Sequence, residues 1–270
     1  MSGRHHQLID ASPLEFALRR DRLIIGGALL GLTILALGYT FWLGTGFDMS
    51  GMMSPDFIPW TAAHFAFMFA MWVVMMIGMM TPSVAPTILL YAALVRKEMA
   101  RQDAARHWFA PPGWFLAGYL LAWCAFATVA TLLQWLLEWR ALVTPMMAGA
   151  DRVVGGCVLI AAGIYQWLPI KQACLASCQA PLSFVQRHGG FRPDIRGSLR
   201  LGILHGVHCI GCCWVLMILL FAFGVMNLTW IAGLMVFVLF EKILPRPRLV
   251  SRVAGVAALA VGLVLVFAPA

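Results

Sequence analysis

The stretch His205-Gly206-Val207-His208-Cys209-Ile210-Gly211-Cys212-Cys213-Trp214 stands at the head of an apolar run that spans residues 201–223 without an Asp, Glu, Lys or Arg. A bilayer core needs about 20 apolar residues in a helix, so the run reads as a membrane span. Ionisable groups inside such a span are costly, and by default they point to a functional site. At ~100° per residue, His205, His208, Cys209 and Cys212 fall within an arc of about 100°, with Cys213 just outside it. Soft thiolates mixed with imidazole suit Cu(I) or Zn(II) and not Mg or Ca.

Composition agrees with the run. Hydrophobic residues make up 62% and charged residues 11% of the 270, with a mean hydropathy of +0.87, which excludes a soluble domain and predicts an all-α polytopic helical bundle. Apolar runs mark seven spans, at residues 23–43, 61–95, 114–139, 153–168, 201–223, 228–244 and 252–267. Residues 1–22 read as a polar cytosolic arm, and 23–270 as one transmembrane domain. The first run is long enough to span, so no cleavable signal peptide is expected.

The net charge of +8 does not point to nucleic acid, because the basic residues sit in alternate loops. The arm and the 2–3, 4–5 and 6–7 loops hold 17 Lys and Arg; the opposite loops hold only Arg140 and Arg152. The positive-inside bias then puts the N-terminus in the cytoplasm and the C-terminus outside. That topology puts Cys174 and Cys178, which follow the fourth span, at the same depth as the His205–Cys213 cluster. Cytosolic thiols stay reduced, so ligation is favoured over disulfides. Cys124 and Cys157 are isolated and read as packing.

The second span is the other unusual element. Met68, Met71, Met75 and Met79 form one helical stripe, followed by Met80, Pro82 and Pro86. Proline removes backbone donors, and non-helical backbone at membrane depth is tolerated where it lines protein or a cavity. Met is usually an adaptable core filler, but its thioether also suits Cu(I). Asp48, Met49, Met52, Met53, Asp56 and His64 stand at the outer mouth of this span. At the inner end of span six, Lys242 reads as snorkelling and Glu241 as an outer-shell partner. Gln166 and Lys171 end span four near the same depth, where Lys171 is in place to offset thiolate charge.

The runs Met71-Trp72 through Met79-Met80-Thr81-Pro82-Ser83, Tyr165-Gln166…Pro169…Lys171…Cys174…Cys178…Pro181, and Cys212-Cys213-Trp214…Met217…Gly224-Val225-Met226-Asn227 with Glu241-Lys242 resemble a bacterial family. It is the domain of unknown function 2182, described as metal-binding integral membrane proteins. The resemblance covers roughly residues 60–245. It implies that span two, the exit of span four, span five and Glu241 belong to one site in a bacterial inner-membrane protein.

The expected metal ligands are Cys174, Cys178, His205, His208, Cys209, Cys212 and Cys213. Met71, Met75, Met79, Met80 and Glu241 are the expected pathway or outer shell. The metal is copper, with zinc as the alternative. The expected function is metal transport or delivery, with the lipid bilayer, the ion and a soluble metal chaperone or accessory protein as partners and no nucleic acid. The alternative is a membrane-embedded metal-dependent oxidoreductase acting on a small or lipid-soluble substrate, which an open coordination position would mark. No phosphate-binding glycine loop, Ser-His-Asp order, HExxH or carboxylate dyad is present.

Overall fold

The computed structural model describes residues 13–46, 60–101, 110–140, 152–190, 194–225 and 227–267. Asp48, Met49, Met52, Met53 and Asp56 lie outside the described residues, as do the first twelve residues of the arm and Met226. The described chain is helical throughout: α1 (Pro13–Gly46), α2 (Ala62–Arg101), α3 (Ala110–Trp139), α4 (Arg152–Tyr165), α5 (Pro169–Gln179), α6 (Pro181–Arg187), α7 (Ile195–Phe223), α8 (Leu228–Ile243) and α9 (Pro247–Phe267). Helix α1 begins ten residues earlier than the apolar run that predicted it, so part of the expected arm is helical.

Five helices are long and apolar enough to cross a membrane, and a sixth crossing is reached if α4 and α5 count as one. The expected fourth span, 153–168, is the 14-residue α4, about 21 Å long at 1.5 Å per residue, and the chain bends where it ends. Leu168 precedes Pro169 and adopts the extended backbone that a following proline imposes (φ −67°, ψ 138°), and α5 leaves α4 at 67°. The expected sixth span is the 16-residue α8. At 1.5 Å per residue it is about 24 Å long, short of the ~30 Å bilayer core.

Local chemistry sets the other boundaries. Asp194 caps α7 by accepting a hydrogen bond from Gly197 N at 2.8 Å, and Gly224, at φ 101°, ends it. Asn227 then caps α8 through Thr229 N and Trp230 N. Between these caps lies the core of the molecule. The apolar window of α7 is 61% buried, against 17% for α9 at the periphery.

Helix α7 packs along α3, with α4, α5 and α8 around it, and α2 reaches it through Trp72, stacked on Phe221 at 5.0 Å. The close approach of α3 depends on glycine: a Cβ at Gly206 would lie 2.6 Å from Ala122 Cβ. That packing brings Tyr119 of α3 onto the Cys209 turn. On the far side, Gly163 of α4 meets Gly255 of α9 in the same way.

Candidate metal centre

Four of the expected α7 ligands, His205, Cys209, Cys212 and Cys213, are buried, as their shared helical face requires. Cys209 is the hub. Its sulfur lies 3.0 Å from Lys242 Nζ on α8 and 3.2 Å from the Tyr119 hydroxyl on α3. The thiols of Cys178 on α5 and of Cys212 and Cys213 surround it closely enough to interact with it. Cys212 and Cys213 both donate S–H to Cys209 O, at 3.0 Å each.

Where the sequence predicts a proline break, α2 runs as one helix through Pro82 and Pro86, and this part of it closes the cluster from one side. Lys242 Nζ donates to Ser83 Oγ at 2.9 Å, and Ser83 and Tyr119 both donate to Met80 O, at 2.8 and 3.2 Å. Met80 therefore abuts the thiol hub through its carbonyl. Met68, Met71, Met75 and Met79 are all buried along the same helix, from 6% exposed at Met68 to 1% at Met79. They form part of the core and do not line an open channel among the described residues.

His205 is enclosed by Phe115, Tyr119 and Phe184, with ring centroids 5.1 to 6.0 Å away, and its buried Nδ1 has no hydrogen-bond partner among the described residues. An orphaned imidazole nitrogen one helical turn from Cys209 is an available donor atom. His208 is placed differently. It is half-buried, its Nδ1 lies 2.8 Å from Leu204 O, and its ring stands 5.5 Å from His188, which the sequence reading did not single out. Cys174 is half-buried one turn before Cys178 and packs on Gly211, where an added Cβ would come within 2.7 Å of its sulfur. Cys124 and Cys157 lie apart, partly buried and exposed, and all seven cysteines are free.

Lys171 does not balance the thiols. It is fully buried and forms a bidentate ion pair with Glu241, 2.7 and 2.8 Å, and also donates to Gln166. Glu241 further accepts from Ser251 Oγ of α9 at 2.8 Å, and its backbone carbonyl accepts from Gln179 Nε2. Glu241 thus ties α5, α8 and α9 together and fixes the helix that carries Cys174 and Cys178. Lys242 does not snorkel either. It turns inward and takes the place by the thiols that the sequence reading gave to Lys171.

Among the described residues, no three His, Cys, Asp or Glu side chains are grouped as a ready-made metal cage. The Cys212 and Cys213 thiols are instead turned to the Cys209 carbonyl. The donor set is nonetheless soft and well suited to a monovalent, thiophilic ion that accepts low coordination.

A family model described as "PpoB2: Copper chaperone" matches residues 69–265, well over half of the chain. The chain belongs to this family. The match runs from the Met stripe of α2 into α9 and includes every expected ligand, so a metal-related family and a copper-related function are shown. No curated protein and no solved structure matches the chain.

Proposed function

We propose that this chain is an integral membrane copper-delivery protein that holds Cu(I) at Cys209. In this reading the polypeptide crosses a bacterial inner membrane seven times, with the N-terminus in the cytoplasm and the thiol cluster in the cytoplasmic half. Copper is cargo, passed on to a soluble chaperone or accessory protein.

The observation that carries the reading is the Cys209 sulfur, set between the Lys242 ammonium at 3.0 Å and the thiols of Cys178, Cys212 and Cys213. The ligand form of cysteine is the thiolate, and a buried thiolate needs a countercharge. Cu(I) on two thiolates carries one net negative charge, which a single ammonium cancels. Charge balance therefore supports two thiolates bound at a time. Cys178 and Cys209 are the natural pair because they bridge α5 and α7. Cys212 and Cys213 are then receiving ligands, for which copper must break their bonds to Cys209 O, and His205 Nδ1 is an auxiliary donor. Exchange between overlapping two-coordinate arrangements suits delivery better than a closed tetrahedral cage.

The test is copper content by mass spectrometry on anaerobically purified protein, wild type beside Cys178→Ser/Cys209→Ser. Near-stoichiometric copper that disappears in the variant supports the reading. Full copper in the variant, or zinc in place of copper, overturns it.

A further inference from the structure

The copper centre leaves a second polar group unexplained, at the other end of the α2–α3 pair. Glu138 is 6% exposed and Gln134 2% exposed, one turn apart on α3. Glu138 Oε2 accepts from Trp60 Nε1 at 2.8 Å, and Oε1 accepts from Gln134 Nε2 at 3.0 Å. Gln134 also donates to Met68 Sδ at 3.7 Å and accepts from Trp72 Nε1 at 2.8 Å. His64 extends this chain of contacts, with its imidazole 4.7 Å from the Trp60 ring. No cationic side chain among the described residues pairs with Glu138. A buried carboxylate that meets only neutral donors lacks its countercharge.

We propose that His64, Met68, Trp60 and Glu138 form a second soft-cation site, which captures Cu(I) at the end of the bundle remote from Cys209. Each component has a separate chemical role. His64 and Met68, four residues apart on one face of the α2 segment, supply imidazole and thioether. The Trp60 ring offers a face for cation–π contact, and its indole N–H holds Glu138 in place. Glu138 supplies the negative charge, oriented by Gln134, which also touches Met68. The inference rests on the copper-delivery reading and extends it. From Met68 the buried thioethers of Met71, Met75 and Met79 follow at successive helical turns, about 16 Å in all, and end one residue before Met80, whose carbonyl meets Tyr119 and Ser83 at the thiol hub. His64 and Met68 precede the segment matched by the copper-chaperone family, so the family match does not assign them.

Ag(I) is the probe, as a redox-inert stand-in for Cu(I), with bound silver measured by equilibrium dialysis and tryptophan emission recorded in parallel. Wild type is expected to bind two equivalents, with partial quenching from the Trp60 site. Met68→Leu/Glu138→Gln, which keeps volume, removes the charge and leaves one of the two acceptor oxygens at position 138, should bind one equivalent and lose that quenching. His64→Ala alters a half-buried position and should weaken the quenching phase roughly tenfold without touching the core. Cys178→Ser/Cys209→Ser should keep the quenching phase and lose the other equivalent. Two equivalents with unchanged quenching in both the Met68/Glu138 and His64 variants would overturn the capture site. Two equivalents in the cysteine variant would instead overturn the thiol reading and leave the capture site standing.

Discussion

The Lys242 ammonium stands 3.0 Å from the Cys209 sulfur, held there by Ser83 at 2.9 Å. Three helices meet in this contact: α8 brings the charge, α7 the sulfur and the proline-containing stretch of α2 the hydroxyl. A cation fixed beside a thiol cluster in an apolar bundle is the electrostatic complement of an anionic copper–thiolate group. Lys242→Met removes the charge while keeping an apolar stem. It should weaken Cu(I) binding by roughly tenfold to a hundredfold, the range seen when partners of metal ligands are lost. Competition against a coloured Cu(I) chelator measures this directly. Lys242→Arg, which retains the charge, should recover part of the loss. Equal affinity for wild type and Lys242→Met would remove Lys242 from the site.

The cysteines should not be equivalent. Cys209→Ser is expected to abolish stoichiometric copper, because every other sulfur in the cluster is arranged around Cys209. Cys174→Ser, at the half-buried Gly211 contact, should lower copper occupancy less than Cys178→Ser does. Metal content of the three single variants checks the ranking. The reverse order would move the centre toward Cys174 and the rim of the bundle.

The Lys171–Glu241 pair is structural support for the site, and its energetics are separable from copper. Breaking a buried ion pair by removing one partner costs about 3–5 kcal/mol, because the remaining charge is left uncompensated. Lys171→Met should lower the unfolding midpoint in detergent by a corresponding amount. The double variant Lys171→Met/Glu241→Leu should recover most of that loss. A double variant no more stable than the single would show that the two charges are not coupled.

Met75→Leu/Met79→Leu separates pathway from packing. The exchange conserves volume, so the stability cost should stay below about 1.5 kcal/mol. If the thioethers carry copper between the two ends of α2, the variant in sealed vesicles should take up copper more slowly while the purified protein binds as much as wild type. Unchanged uptake would return both residues to the role of core fillers.

Much of the helical order was legible before any coordinates. The 201–223 run has the length and purity of a span, and periodicity alone put His205, Cys209 and Cys212 on one face, where the structure buries them. The turn chemistry was also local: Pro169 ends one helix and starts another, and Asp194 and Asn227 have the side chains that cap their helices. What the apolar run at 153–168 concealed was direction. Its break turns α5 through 67°, and only that turn lays Cys178 against Cys209.

The charges illustrate the same division most sharply. Sequence determined that Lys171, Glu241 and Lys242 sit near the ends of apolar segments, together with several cysteines. Sequence did not determine how they pair. Adjacent helical residues project about 100° apart. Glu241 and Lys242 therefore face different neighbours, and which neighbours those are depends on how α5, α7 and α9 pack around α8. Tertiary packing gave Glu241 to Lys171 and Ser251, and Lys242 to Cys209 and Ser83. The composition of the chain settles that costly polar groups lie within an apolar bundle. Which charge answers which is decided by the helix arrangement, since the charge-assisted hydrogen bonds that compensate a buried charge form only at about 2.7–3 Å.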